Sequence, residues 1–103
     1  MFFYRHINEI REICREAKVS MLYLTGDVLH DRDALPEVLE LVVTFKPEVE
    51  EMYYHYFYLL QSSMEDLLQT RVELIDYDRL KNQAIRKRIL EHAEVLYNLS
   101  IAG

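Results

Sequence analysis

Apolar residues recur along this chain at two periods, and the switches between them mark the expected elements. From 3 to 17, Phe3, Ile7, Ile10, Ile13 or Cys14, and Ala17 fall at helical steps, while Arg5, Glu9, Arg11, Glu12, Arg15 and Glu16 fill the other side. That spacing predicts an amphipathic helix. The run from 19 to 25 ends at Thr25-Gly26 and has strand length; 39–45 is a second apolar run, interrupted only by Glu40 and Thr44. Gly26-Asp27 reads as a turn, 28–30 as a short helical piece and 31–36 as a loop, since Pro36 discourages helix. The connection between the two strands is too short for a parallel crossover with a full helix, so they are expected to pair antiparallel.

The longest helical pattern spans 49–69. Val49, Met52, Tyr53, Tyr56, Phe57, Leu60, Met64, Leu67 and Leu68 form its apolar stripe. Pro47 precedes it, and Glu48, Glu50 and Glu51 suit the positive end of a helix dipole. Tyr54 and Tyr58 lie four apart on a different face, beside Leu59. Two readings stay open for them, contact with a partner and plain surface. A third strand is predicted at 71–75, parallel to the second because a helix of about twenty residues joins them by a right-handed crossover. Asp76-Tyr77-Asp78 makes a turn and a helix cap. The period then returns to helix over 79–99, with Leu80, Ala84, Ile85, Ile89, Ala93, Leu96 and Tyr97 inward and Lys81, Arg86, Lys87 and Arg88 outward, as a solvated face or a seat for an acidic partner. The expected fold is α/β (α+β): a three-stranded mixed sheet, strand two central, flanked by helices.

Composition narrows the function classes. At 103 residues the chain is read as one domain, and its scarce Gly and Pro, two each, mark a folded chain. A net charge of -6 argues against non-specific binding of DNA or RNA and is compatible with a basic protein partner or a metal. Cys14 stands alone, so no internal disulfide forms and a cytoplasmic location is expected; its neighbours make it a small core residue rather than a reactive thiol. His6, a lone histidine, is read as surface or core rather than a metal ligand. No apolar run is long enough to span a membrane, and the charged N-terminal stretch does not suit a signal peptide. Glu40 and Glu73 are the unexpected residues, each a carboxylate flanked by strand hydrophobics.

These motifs resemble the minimal nucleotidyltransferases of the polymerase-beta superfamily over nearly the whole chain. Leu22-Tyr23-Leu24-Thr25-Gly26-Asp27 corresponds to the family's strand ending in Phe-Gly-Ser. Pro36-Glu37-Val38-Leu39-Glu40-Leu41-Val42-Val43 corresponds to Ser-Asp-hydrophobic-Asp-hydrophobic, and Arg71-Val72-Glu73-Leu74 to the strand that carries a third aspartate. Leu80-Lys81-Asn82 and the stretch ending Leu96-Tyr97 match the tail. The resemblance implies the nucleotidyltransferase fold and, in active members, Mg²⁺, a nucleoside triphosphate and a HEPN-type toxin modified by nucleotide transfer.

The departures fall on the chemistry. Gly26 is kept, but Asp27 replaces the serine that helps receive the triphosphate, placing a negative charge where donors are needed. Val38 replaces one metal-binding aspartate, while Glu40 and Glu73 replace the others with arms one methylene longer. Mg²⁺ demands near-ideal octahedral geometry, so Glu40 and Glu73 are expected to hold a metal weakly if at all. Either could instead be structural, paired with Arg71 or Arg32. Three functions follow from the resemblance: a non-catalytic, antitoxin-like binding partner of a HEPN-type protein, or a homo-oligomer; a weak or altered metal-dependent nucleotidyltransferase acting on a protein hydroxyl; and a nucleotide-sensing module without turnover. The first is the expected one.

Overall fold

Burial along 38–41 alternates as a half-covered strand requires, and from Leu41 to Val43 both sides are covered, Val42 included. Leu39, Leu41, Val43 and Phe45 are buried on one side, whereas Val38 and Glu40 are exposed on the other. In the computed structural model, which describes residues 5–25 and 38–99, this strand is β2 (Val38–Phe45). β1 (Val19–Leu24) pairs with it antiparallel and β3 (Arg71–Asp76) pairs with it parallel, both as the connection lengths predict. Helix α1 (Ile7–Glu16) precedes β1, and α2 (Tyr53–Leu68) links β2 to β3. A 3₁₀ segment, Pro47–Met52, leads into α2 with Pro47 at its start, so the α-helical part begins later than the expected residue 49. Met52, expected in the apolar stripe, is exposed at this junction.

One core joins the helices to the sheet. Ile10, Cys14 and Ala17 from the α1 side, Leu60, Met64 and Leu68 from α2, and the inward residues of β1, β2 and β3 form a single buried cluster. Cys14 is completely buried, and desolvation pushes its thiol up to about 12, against a smaller opposing effect of Arg15. The core role expected for it holds. Lys18 and Gln69 take positive φ at the ends of α1 and α2. Gln69 does so as a left-handed cap whose N–H donates to the Glu65 carbonyl at 2.8 Å.

The C-terminal region departs from expectation. Instead of one helix over 79–99, the chain forms a 3₁₀ turn (Tyr77–Arg79), a ten-residue helix α3 (Gln83–His92) and a further strand β4 (Glu94–Asn98). β4 pairs antiparallel with β1, giving a four-stranded mixed sheet in the order β3-β2-β1-β4 rather than three strands. Leu96 and Tyr97 are buried as expected, but they reach the core from a strand. The physical cause is the second edge of β1. Its backbone groups need partners, and Glu-Val-Leu-Tyr-Asn supplies strand-forming residues once Ala93 turns extended at φ -76°, ψ 148°. α3 buries none of its residues completely, and Ile85 and Leu90 are exposed. Its N-terminus is capped by Asn82, whose side chain accepts from the N–H groups of Ala84 and Ile85 at 3.0 and 3.1 Å.

Candidate functional site on the open face of the sheet

The two strand carboxylates meet because β2 and β3 run parallel in register. Val38 pairs with Arg71, Leu39 with Val72 and Glu40 with Glu73. Neighbouring strands lie about 4.8 Å apart, so the two glutamate side chains leave adjacent backbones on the same side. That side is open at Val38, Glu40, Arg71 and Glu73, since Leu39, Leu41, Val72 and Leu74 point to the core, and it closes at Val42, which is fully buried. Val38 stands on the same face as Glu40, two residues earlier, and is 40% exposed. The geometry therefore brings together three of the positions singled out in the sequence, two of them carboxylate and one hydrocarbon.

Thr25 completes the row and was not recognised as a site residue from sequence. Its N–H donates to the Glu40 carbonyl at 3.3 Å, extending the β1–β2 pairing beyond Leu24–Leu41. Its hydroxyl donates to Glu40 Oε1 at 2.8 Å. Thr25, Glu40 and Glu73 thus form a line across three strands. The available signal was position alone: a hydroxyl at the end of an apolar strand, directly before Gly26. The contact partly answers the expectation that Glu40 would be held by an arginine. Among the described residues, Glu40 accepts from Thr25, and Arg71 is opposite Val38 in the register, not opposite Glu40. Gly26, Asp27 and Arg32, with the expected turn, the helical piece at 28–30 and the loop at 31–36, lie outside the described residues.

A second polar cluster closes the other end of β3. Asp76 is nearly buried, its side chain 8% exposed. It accepts from the Tyr53 hydroxyl at 2.6 Å through Oδ2 and from the Asp78 N–H at 3.0 Å through Oδ1, which caps the 3₁₀ turn. The expected turn is present, but the cap of the last helix is Asn82. The Arg79 guanidinium lies over the Tyr53 ring, 3.7 Å from its centroid, with Nε 3.8 Å from Asp76. Burial, then the bond to Asp76, pushes the Tyr53 phenol well above its ordinary value. Tyr23 on β1 is shifted upward too, by burial first and then by Tyr77 and Asp78. Arg86 stacks over Tyr77 at 4.5 Å and is half-buried, whereas Lys87 and Arg88 are exposed, with Lys87 3.9 Å from Glu91. The basic cluster expected to be an outer face is thus divided: Lys81, Lys87 and Arg88 are exposed, but Arg86 is a packing residue.

Among the described residues, no group of three or more His, Cys, Asp or Glu side chains is placed to hold a metal ion, and no helix is long and apolar enough to cross a membrane.

No protein-family model matches the chain, and no curated protein is significantly similar to it. Solved structures are similar. One described as a minimal nucleotidyltransferase superposes with a TM-score of 0.70 at 20% identity, covering 88% of this chain and 89% of the other. A MntA toxin–antitoxin variant carrying two aspartate-to-glutamate changes gives 0.67 at 15%, covering 93% and 75%. The MNT antitoxin bound to the tri-AMPylated HEPN toxin of Shewanella oneidensis gives 0.65 at 14%, covering 97% and 76%. At these identities the likeness is one of fold, and the fold is that of the minimal nucleotidyltransferases.

Proposed function

We propose that this chain is an antitoxin-like member of the minimal nucleotidyltransferases that acts on a HEPN-type protein by binding it, without transferring a nucleotide. The similarity to structures of antitoxins with toxins supports the binding role. The observation that carries the loss of chemistry is the open face itself: Glu40 and Glu73 are in register, and Val38 offers hydrocarbon at the third position of their face. Mg²⁺ bound between phosphates and protein needs hard oxygen ligands at about 2.1 Å in octahedral order. The described donors, two long carboxylate arms with one already accepting from Thr25, do not fit that requirement. Phosphoryl-type transfer depends almost wholly on metal, charge stabilisation and positioning, so this loss removes the main sources of rate.

The in-register pair favours one competing reading, a weak enzyme using another divalent ion, and one experiment separates them. The purified chain is incubated with its best candidate HEPN-type partner, labelled ATP, GTP, CTP or UTP, and Mg²⁺ or Mn²⁺. A stable complex with no label on either protein is the expected result. Label that disappears in Glu40→Ala would restore the enzyme. A thermal shift with nucleotide but no label would instead make the chain a nucleotide sensor. The combined changes Asp27→Ser, Val38→Asp, Glu40→Asp and Glu73→Asp are expected to return metal binding, read by calorimetry, before any transfer.

A further inference from the structure

The side of α2 that carries Tyr54 and Tyr58 has the form of a prepared contact surface. Both rings are exposed, at 66% and 58%, and stack on each other with centroids 6.4 Å apart and planes 24° from parallel. Each is supported edge-on by a partly buried neighbour, Tyr54 by Tyr53 at 5.3 Å and Tyr58 by Phe57 at 5.5 Å. Tyr53 is in turn fixed by Asp76 and Arg79. The result is a shelf of rings with little freedom to lose on binding, which is the property of an aromatic anchor.

Charge selects what the shelf can receive. From 47 to 69 the chain has five acidic residues, Glu48, Glu50, Glu51, Glu65 and Asp66, and no Lys or Arg. This stretch thus accounts for five of the six net negative charges of the chain. Glu65 is turned to the edge of β3, where it accepts from the Val72 N–H, whereas Glu48, Glu50 and Glu51 are exposed in the segment that leads into α2. A second copy meeting the first through this end of the helix would bring two such acidic segments together, which is repulsive. A cationic partner meets attraction from the carboxylates and from the ring faces alike. The cluster already accepts one guanidinium, that of Arg79 over Tyr53.

We propose that the Tyr54–Tyr58 shelf docks a protein partner that presents arginine or lysine side chains, with the exposed Glu50 and Glu51 of the segment leading into α2 adding to the attraction. This rests on the binding role given above and assigns it a surface. The partner's guanidinium or ammonium groups lie against the two rings, and the neighbouring carboxylates speed encounter and weaken with salt.

The test uses the full chain and the same candidate HEPN-type partner, with affinity and rates measured by calorimetry and surface plasmon resonance. Tyr54→Ser with Tyr58→Ser is expected to weaken the complex by about tenfold or more, the scale of an aromatic anchor. Tyr54→Phe with Tyr58→Phe keeps the rings and is expected to keep most of the affinity. Glu50→Gln with Glu51→Gln should slow association and flatten its dependence on salt. Thermal melts of each variant confirm the fold. A complex unchanged by the serine pair overturns the surface and leaves the binding role standing. No complex at all overturns both. A wild-type dimer that the serine pair dissociates makes a second copy the occupant and overturns the cationic partner.

Discussion

Replacing Tyr53 by Phe removes one oxygen from a cluster whose other contacts stay in place. The ring keeps its edge contact with Phe45 at 5.8 Å and its place beneath the Arg79 guanidinium. What is lost is the 2.6 Å bond from the hydroxyl to Asp76 Oδ2. Hydrogen bonds to a charged group contribute about 1.5–3 kcal/mol. Asp76 is nearly buried, so water replaces the lost donor poorly, while the Asp78 N–H still serves the other oxygen. The expected loss is therefore about 2 kcal/mol. With a urea slope of about 1 kcal/mol/M for a chain of this size, the midpoint of unfolding followed by circular dichroism at pH 7 falls by about 2 M. The pH dependence gives an independent check. The folded phenol is raised above its unfolded value near 10, so the stabilisation is complete below about pH 10 and is lost as pH rises through the folded value. The wild type and Tyr53→Phe should thus converge at strongly alkaline pH. A difference below about 0.5 kcal/mol at pH 7, or one that persists unchanged into strong alkali, would refute the assignment of this bond as a stabilising one.

Two further predictions concern the edge of the sheet and the core. Gln61 Nε2 donates to the Val72 carbonyl at 2.9 Å and Glu65 Oε2 accepts from the Val72 N–H at 2.9 Å, so two side chains of α2 occupy the outer edge of β3 as a neighbouring strand would. Gln61→Ala with Glu65→Ala is expected to cost about 1–2 kcal/mol and to raise self-association in sedimentation; an unchanged monomer fraction would show that the edge needs no such cover. Cys14, buried and with its thiol shifted upward, should react with a maleimide only at the rate of unfolding, and modification within seconds in native buffer would contradict its placement in the core.

The elements legible in the sequence were those whose period and punctuation agreed. α1 and α2 were visible because Ile10, Cys14, Leu60, Met64 and Leu68 recur at helical steps and all end in the core. β2 and β3 were visible from their apolar runs, and their relative direction followed from the length of the crossover. The C-terminal region misled because Ile85, Ile89, Ala93 and Leu96 keep a helical period across a real boundary. No Gly or Pro marks that boundary, and the demand for a strand there comes from the unpaired edge of β1, a partner far away in the chain. Tertiary pairing overrode local pattern, which is why Leu96 and Tyr97 were correctly expected to be buried and wrongly expected to be helical.

The candidate site was legible for a different reason: a carboxylate inside an apolar strand stands out whichever way the chain folds. What single positions could not show is alignment. Glu40 and Glu73 become neighbours only through the parallel register, and Thr25 joins them only because β1 continues one residue past its last strand pair to bond Glu40. The same geometry explains how such a face can change its chemistry while the fold persists. β2 is anchored by Leu39, Leu41 and Val43, whose burial is complete, and none of that packing involves the side chains of Val38 or Glu40. Substitution at Val38 or Glu40 leaves that core packing in place. The division holds only for the first half of β2, because Val42, on the side of Val38 and Glu40, is itself fully buried. The preserved fold is accordingly no argument for preserved catalysis; that question rests with the side chains of the open face.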